Sequence, residues 1–317
     1  MQMNTVEKAA CFALLEMLEM KPGQALLIAS EPRTAPISQT FRKVATKERI
    51  DTIFMEWPDR AKSNGSLSEA FRKLLANFDT ALVIRSTVDV EMMNYLRAQS
   101  HTRVALIIGA DEDSLRRGLE ANHKRLAERC RKLADILTIG RSLKLASENG
   151  TDLKVSVGQM KGNAESAPLN GACSCGSLPT GRAFITPVVS SAEGVIVLQT
   201  VAGQRGGSGQ AIELKIRDGK IAQVKGGRAA QVFRQYLRLG GNTARLLVEI
   251  GFGLNEKARL GHSALEDEKV LGTAHLGFGD LRGPGKSPAV FARGIVQIPS
   301  LTIDGQKIIH QGQFSFE

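Results

Sequence analysis

The stretch "ALLIASEPRTAPISQTFRKVATKERIDTIFMEW", residues 25–57, decides how the first half of the chain is read. "ALLIAS" (25–30) is a short, unbroken apolar run of the kind buried on both faces of a parallel sheet. Pro32 and Pro36 mark a loop, "ISQTFRKVATKERI" has helical spacing, and "DTIFMEW" reads as the next strand. On the N-terminal side, Val6, Ala10, Ala13, Leu14, Met17 and Leu18 form a helical apolar stripe from Val6 to Met20, stopped by Pro22 and Gly23. On the C-terminal side the rhythm continues: "SLSEAFRKLLANF" as helix, "TALVIRS" as strand, "DVEMMNYLRAQS" as helix, "TRVALIIGA" as strand. This βαβα order predicts an α/β fold, an open parallel sheet of Rossmann-like type with helices on both faces, over residues 1–140. The first strand-to-helix turn reads "SEPRTAP" where a dinucleotide site needs G-x-G-x-x-G, so no nucleotide cofactor is expected.

From Asp111 to Leu137 the pattern is helical and basic, with Leu115, Leu119, Leu126, Leu133 and Leu137 as a buried stripe. Its arginines and lysines, Arg117 and Arg129 among them, read as a solvated face. After about Gly140 the character changes. "TDLKVSVG" alternates with period two, "GVIVLQT" is a buried strand, and "AIELKIRDGKIAQVK" is a hairpin with Asp218-Gly219 at its turn. Arg228 to Leu239 reads as a helix with Ala229, Val232, Phe233, Tyr236 and Leu237 on one face, closed by Gly240 and Gly241. Residues 141–317 therefore form a second, α+β domain.

Composition narrows the function classes. The chain has 317 residues, 42% hydrophobic and 23% charged, as a soluble enzyme would. The net charge of +10 favours anionic partners, whether substrate, nucleic acid or membrane surface, and reads most plainly as the basic exterior of a soluble enzyme. Aromatic residues are only 5% and no long Lys/Arg run occurs, which argues against nucleic acid. No apolar run approaches the ~20 residues a bilayer span requires, so no membrane partner is expected. Glu7, Lys8, Glu16 and Glu19 break up the first helix as a signal peptide, and Cys11, Cys130, Cys173 and Cys175 make no disulfide framework. A cytoplasmic protein is the expectation.

Three segments carry the chemistry: "SLPTGRAFITPVVSSAEGVIV" (177–197), "LVEIGFGLN" (247–255) and "DEKVLGTAHLGFGD" (267–280). Together they resemble the thermophilic metallo-aminopeptidase family, of aminopeptidase T and aminopeptidase S type. That family carries N-L-P-x-G-E-V-F-x-A-P, then E-L-G-I-G-x-N, then D-E-K-x-L-G-T-x-H-x-A-x-G and a later H-x-D. "MKPGQALLIAS" and "ENGTDLKVSV" fit it as well. The resemblance implies a C-terminal domain of aminopeptidase T type, a homodimer, and a metallohydrolase acting on a small peptide or amino-acid-like substrate. It also implies a divalent metal, zinc, cobalt or iron, held by two glutamates, the motif histidine and the H-x-D pair.

Carried over residue by residue, Glu249 and His275 match the second glutamate and the histidine. Arg182 stands at the first glutamate, Phe291 and Arg293 stand where H-x-D belongs, and Arg282 replaces a family tyrosine. A distant subgroup of the superfamily cleaves dihydroxypyridine rings with iron, using the motif histidine and H-x-D, and this sequence departs from that set too. Two readings stay open. In one, Glu249 and His275 hold a metal in a reduced site. In the other the metal is lost, Arg182 and Arg293 bind an anionic small molecule bidentately, and His275 with Glu249 forms an acid/base pair, or the protein only binds. The structural alternatives are Glu249 as ion-pair partner of Arg182 or Arg293, His275 as a loop histidine, and Asp267, Glu268 and Lys269 as a charged loop bracing the site. Cys173 and Cys175 read as replacement thiolates or as loop, and "GQRGGSG" (203–209) as a hairpin loop more than a phosphate cradle.

Overall fold

The computed structural model describes residues 5–56, 69–86, 95–96, 101–169, 175–201, 211–239, 241–261, 263–280 and 289–316. The "GQRGGSG" loop, Cys173, Arg282, most of the expected helix at 89–100 and the side chain of Phe291 lie outside the described residues. Two compact units form: Met1–Lys124 with Ser166–Thr180, and Arg125–Glu165 with Gly181–Glu317.

The first unit is built on a parallel sheet. Its strands, numbered by chain position, are β1 (Ala25–Ser30), β2 (Asp51–Glu56), β3 (Thr80–Arg85), β4 (Arg103–Ile108) and the short β8 (Cys175–Ser177). They lie in the order β2-β1-β3-β4-β8, each pair parallel. The unbroken apolar runs follow from burial on both sides. Leu26, Ile28, Leu82 and Ile84 face one core, shared with Met17 and Phe41 from the helical segments around them. Leu27, Ala29, Ala81 and Val83 face the other, shared with Phe71 and Leu75 of the helix Glu69–Leu75. Side chains alternate across the pleat, so a continuous apolar strand feeds two cores at once.

Two helical details differ from the expectation. The first helix, Thr5–Phe12, runs on as a π-helical turn, Ala13–Met17. The basic segment is two helices, Glu112–Leu119 and His123–Ile139. Asp111 caps the former, its carboxylate accepting from Ser114 N at 2.8 Å. The basic face is also not uniformly solvated. Arg117 is buried and pairs with Asp113, and buried Arg129 donates to Leu254 O at 2.7 Å and to Glu256 at 3.2 Å.

The second unit is a large antiparallel sheet flanked by helices. Its strands are β5 (Ser142–Ala146), β6 (Asp152–Ser156), β7 (Asn163–Glu165), β9 (Arg182–Ile185), β10 (Glu193–Leu198), β11 (Thr200–Val201), β12 (Ile212–Arg217), β13 (Lys220–Lys225), β14 (Leu246–Gly253), β15 (Thr273–Asp280), β16 (Ala289–Gln297), β17 (Ser300–Ile303), β18 (Gln306–His310) and β19 (Gln313–Phe314). The order is β11-β16-β15-β14-β13-β12-β10-β6-β5-β17-β18-β19, with β9 also on β14 and β7 on β9. The expected hairpin is β12–β13. Asp218 (φ 47°) and Gly219 (φ 71°) are both left-handed, as a two-residue primed turn requires. The helix Arg228–Leu239 buries Ala229, Ala230, Phe233 and Leu237, while Tyr236 is 41% exposed and leaves the face assigned to it. Phe233 meets Phe278 of β15 edge-on, with ring centroids 6.0 Å apart.

The fold is thus mixed α/β, a parallel-sheet unit and an antiparallel-sheet unit. Among the described residues no helix is long and apolar enough to cross a membrane.

Candidate functional site

Arg182, Glu249, His275 and Arg293 meet on four neighbouring strands of the second unit, β9-β14-β15-β16, and β7 beside β9 adds Glu165. Strand register sets the meeting. Glu165 pairs with Arg182, which pairs with Gly253. Phe184, Gly251, His275 and Ile295 form the next cross-strand row, and Glu249, Gly277 and Arg293 the one beyond. Cross-strand partners share a face, so these rows stack functional side chains on one side of the sheet. The period-two pattern explains the glycines. In "EIGFG" Glu249, Gly251 and Gly253 share a face while Ile250 and Phe252 fill the opposite core; "HLGFG" does the same with His275 and Gly277. A register slip between Leu247 and Glu249 puts Glu249 opposite Gly277, so nothing separates its carboxylate from Arg293. A Cβ on Gly251 would lie 2.2 Å from His275 Nε2, and one on Gly253 would lie 2.1 Å from Val270 O. Both glycines are therefore room for something else: an imidazole in one case, the 269–270 backbone in the other.

That backbone brings two residues assigned only a bracing role from the sequence. Ser263 caps the short helix Ala264–Asp267, accepting from Glu266 N at 3.1 Å, and the chain then turns so that Asn255 N donates to Lys269 O at 2.8 Å. Asp267 does brace the loop, accepting from Gly261 N at 2.7 Å. Glu268 and Lys269 are instead fully buried, 0% exposed each, and enter the cluster.

The result is a buried ion network. Arg182 Nη1 donates to Glu268 Oε2 at 2.6 Å and Glu249 Oε1 at 3.1 Å, and stands 3.3 Å from His275 Nε2. Its Nε donates to Glu165 at 2.7 Å, and its Cζ lies 4.5 Å from the Phe184 ring centroid. Arg293 Nε reaches Glu249 at 3.2 Å and Glu268 at 3.1 Å. Lys269 Nζ lies 3.1 Å from Glu165 and 3.8 Å from Glu268. Three formal cations, Arg182, Lys269 and Arg293, thus face three carboxylates, Glu165, Glu249 and Glu268, and their charges cancel.

Burial works against each charge here, and the partners decide the outcome. Desolvation opposes the Glu249 carboxylate, but Arg293 and Arg182 hold it well below the usual carboxylate range. Glu268 is depressed too, burial being outweighed by Arg293, Arg182 and Lys269. Arg182 and Arg293 are raised in spite of burial, Arg182 by Glu165, Glu249 and Glu268, Arg293 by Glu249 and Glu268. Burial lowers Lys269 against the pull of Glu165, and lowers His275 against its bond to Glu249. His275 Nε2 stands between the Arg182 guanidinium at 3.3 Å and Glu249 Oε1 at 3.5 Å: with the ring proton on Nδ1 it accepts from the first, and with the proton on Nε2 it donates to the second. That Nδ1 has no hydrogen-bond partner among the described residues.

Glu249, Glu268 and His275 offer metal-ligand atoms within 4.8 Å of one another, a donor set that suits iron, manganese or zinc. A divalent ion nevertheless does not fit them as they stand. Arg182 Nη1 already contacts all three side chains, at 2.6, 3.1 and 3.3 Å. It stands against the His275 Nε2 that a metal would need, and a divalent ion added to a neutral, buried cluster would carry its whole charge uncompensated. Cys175 lies on β8 of the first unit and is not part of this group.

The comparisons with known proteins bear on the reaction. The family model described as 2,5-dihydroxypyridine 5,6-dioxygenase, NicX, matches residues 8–279. No curated protein matches the sequence. Among solved structures, 2,5-dihydroxypyridine dioxygenase from Pseudomonas putida KT2440 is similar with a TM-score of 0.81 at 18% identity, covering 100% of this chain and 99% of that one. Wild-type AmpT from Thermus thermophilus is similar with a TM-score of 0.72 at 16% identity, covering 98% and 99%. At such identities the structures speak to the fold alone.

The aminopeptidase resemblance therefore holds for the fold and fails for the function. The hydrolase and metallopeptidase reading is overturned by the dioxygenase family match. The alternative reading, in which Arg182 and Arg293 serve a binding protein for an anionic small molecule, is overturned with it. The cluster shows how the arginines are engaged: Arg182 and Arg293 already donate to Glu165, Glu249 and Glu268.

Proposed function

The chain belongs to the 2,5-dihydroxypyridine 5,6-dioxygenase family, and on that premise we propose that it is an enzyme opening a small, hydroxylated aromatic ring with dioxygen. The family match over residues 8–279 carries this reading. The reaction in the family's name breaks the ring bond between carbons 5 and 6 and the O–O bond, and forms new C–O bonds at both carbons. The electron-rich ring supplies the electrons, so both oxygen atoms end in the product and no outside reductant is consumed. Because a divalent metal does not fit the Glu249, Glu268 and His275 donors beside Arg182, no step is routed through one here. Within this reading the cluster fixes protonation states. Glu249 and Glu268 stay carboxylates and His275 stays uncharged, its Nδ1 without a hydrogen-bond partner among the described residues. The homodimer implied by the aminopeptidase resemblance remains part of the proposal, and sedimentation velocity tests it.

The experiment is oxygen uptake by the purified chain, as isolated and after iron loading, with 2,5-dihydroxypyridine, its isomers and dihydroxybenzenes. Uptake of one dioxygen per ring consumed, with both atoms of labelled oxygen in the product, is the expected result. No uptake with any of these rings in either state would overturn the reading.

A further inference from the structure

We propose that Arg182 stands in for the divalent cation in this chain: its guanidinium closes the Glu249–Glu268–His275 position to metal, and removing it opens a metal site there. Three observations lead to this. The three ligand-bearing side chains converge within 4.8 Å, which is a metal-site spacing and more than an ordinary ion pair needs. One nitrogen of Arg182 touches all three of them. The guanidinium is itself anchored from behind, by Glu165 at 2.7 Å and by the Phe184 ring, and is 1% exposed, so it is packed in place and not a passing surface side chain.

Charge gives the direction of the effect. In the native cluster the formal charges cancel, and a divalent ion has nothing to neutralise. Without the Arg182 guanidinium, three carboxylates face Lys269 and Arg293 only. The cluster is then net negative, His275 Nε2 loses the guanidinium that stands 3.3 Å from it, and the vacated volume lies among two carboxylates and an imidazole, ligands that borderline divalent metals take readily. Arginine suits the plug better than lysine would. It stays charged when buried, and its fork reaches Glu165 with one nitrogen while another serves the ligand group. The inference goes beyond the ring-opening reading, and the two fail separately, because oxygen uptake tests the one and metal content the other.

The test is metal content by mass spectrometry and Mn(II) titration by calorimetry on the full chain. Wild type, Arg182→Ala, Arg182→Gln, His275→Ala and the Arg182→Ala/His275→Ala double variant are incubated with excess Mn(II), Zn(II) or Fe(II) and desalted. Circular dichroism confirms folding in each case. Wild type is expected to retain only sub-stoichiometric metal, and Arg182→Ala close to one ion per chain, with a melting temperature that rises on adding Mn(II). Loss of His275 from that variant is expected to weaken binding by roughly 10–100-fold. Near-stoichiometric metal in wild type that disappears in His275→Ala would overturn the proposal, as would a folded Arg182→Ala or Arg182→Gln that takes up none. Should neither Arg182 variant fold without metal, folding on addition of Mn(II) supports it and failure to fold counts against it.

Discussion

The two units bury their centres in opposite ways. The first packs Leu, Ile, Val and Phe on both faces of a parallel sheet. The second places six interlocked charges against an antiparallel sheet at the corresponding depth, with Arg182, Glu249, Glu268 and Lys269 all at 1% exposure or less. An apolar core is a sum of many weak contacts, so the loss of one is local. A charged core is a closed set, in which each removal strands a partner.

Substitutions can break that contrast or sharpen it. The largest effect is expected for Glu249→Ala, which sets Arg182, Lys269 and Arg293 against Glu165 and Glu268 only and leaves one buried positive charge uncompensated. Unfolding by urea should show a loss of about 3–5 kcal/mol, and a loss under 1 kcal/mol would mean the cluster is not a closed set. Leu82→Ala in the middle of the parallel sheet should cost about 2–5 kcal/mol, and the volume-conserving Leu82→Met under about 1.5 kcal/mol. A conservative swap in the cluster, Arg182→Lys, should not show that tolerance, because the fork is lost.

Gly251→Ala is expected to cost about 1–3 kcal/mol through overpacking and to move the His275 imidazole, since the new Cβ would meet Nε2 at 2.2 Å. The histidine ring resonances in a proton–nitrogen correlation spectrum report the shift. Cys130, buried and with its thiol pushed up to about 12 by burial and then by Glu165, should resist iodoacetamide at pH 8 in the native chain. Its alkylation, followed by mass spectrometry, should accelerate in Glu249→Ala if the cluster opens. The smallest effect is expected at the surface. Asp304, exposed, is held below its ordinary value chiefly by the backbone N–H of Ser142, then by that of Arg141 and the Ser142 hydroxyl. A depressed carboxylate contributes stability above its unfolded value, lost as pH falls through the folded one. The urea midpoint should therefore drop below about pH 4, and less steeply in Asp304→Asn.

Much of the fold was legible because its signals are periodic. The short apolar runs at 25–30, 80–85 and 103–108, spaced between helical patterns, read as strands, and Asp218-Gly219 between two alternating runs reads as a tight turn. The candidate site was legible in part. "EIGFG" and "HLGFG" announce Glu249 and His275, and the motif comparison locates Arg182 and Arg293. Glu165 gave no signal, because its role depends on the β7–β9 pairing, which no local pattern encodes. Glu268 and Lys269 read only as a charged loop bracing the site because sequence cannot show that the loop turns inward. The one clue was Gly253, whose missing side chain makes space for that loop. The reaction class was misread for a related reason: the motifs shared with the aminopeptidases mark this fold, while the family match places the chain among dioxygenases.

The row Glu249–Gly277–Arg293 makes the cluster an evolutionary ratchet. With Arg182 and Arg293 both installed, their effects are epistatic. Returning a glutamate to position 182 alone would set four carboxylates against Lys269 and Arg293, and returning an acid to position 293 alone would leave the Arg182 plug in place. Neither single step back leads through a stable intermediate unless a metal ion arrives with it. Positions 182 and 293 are therefore not independent, and each limits what the fold can accept at the other.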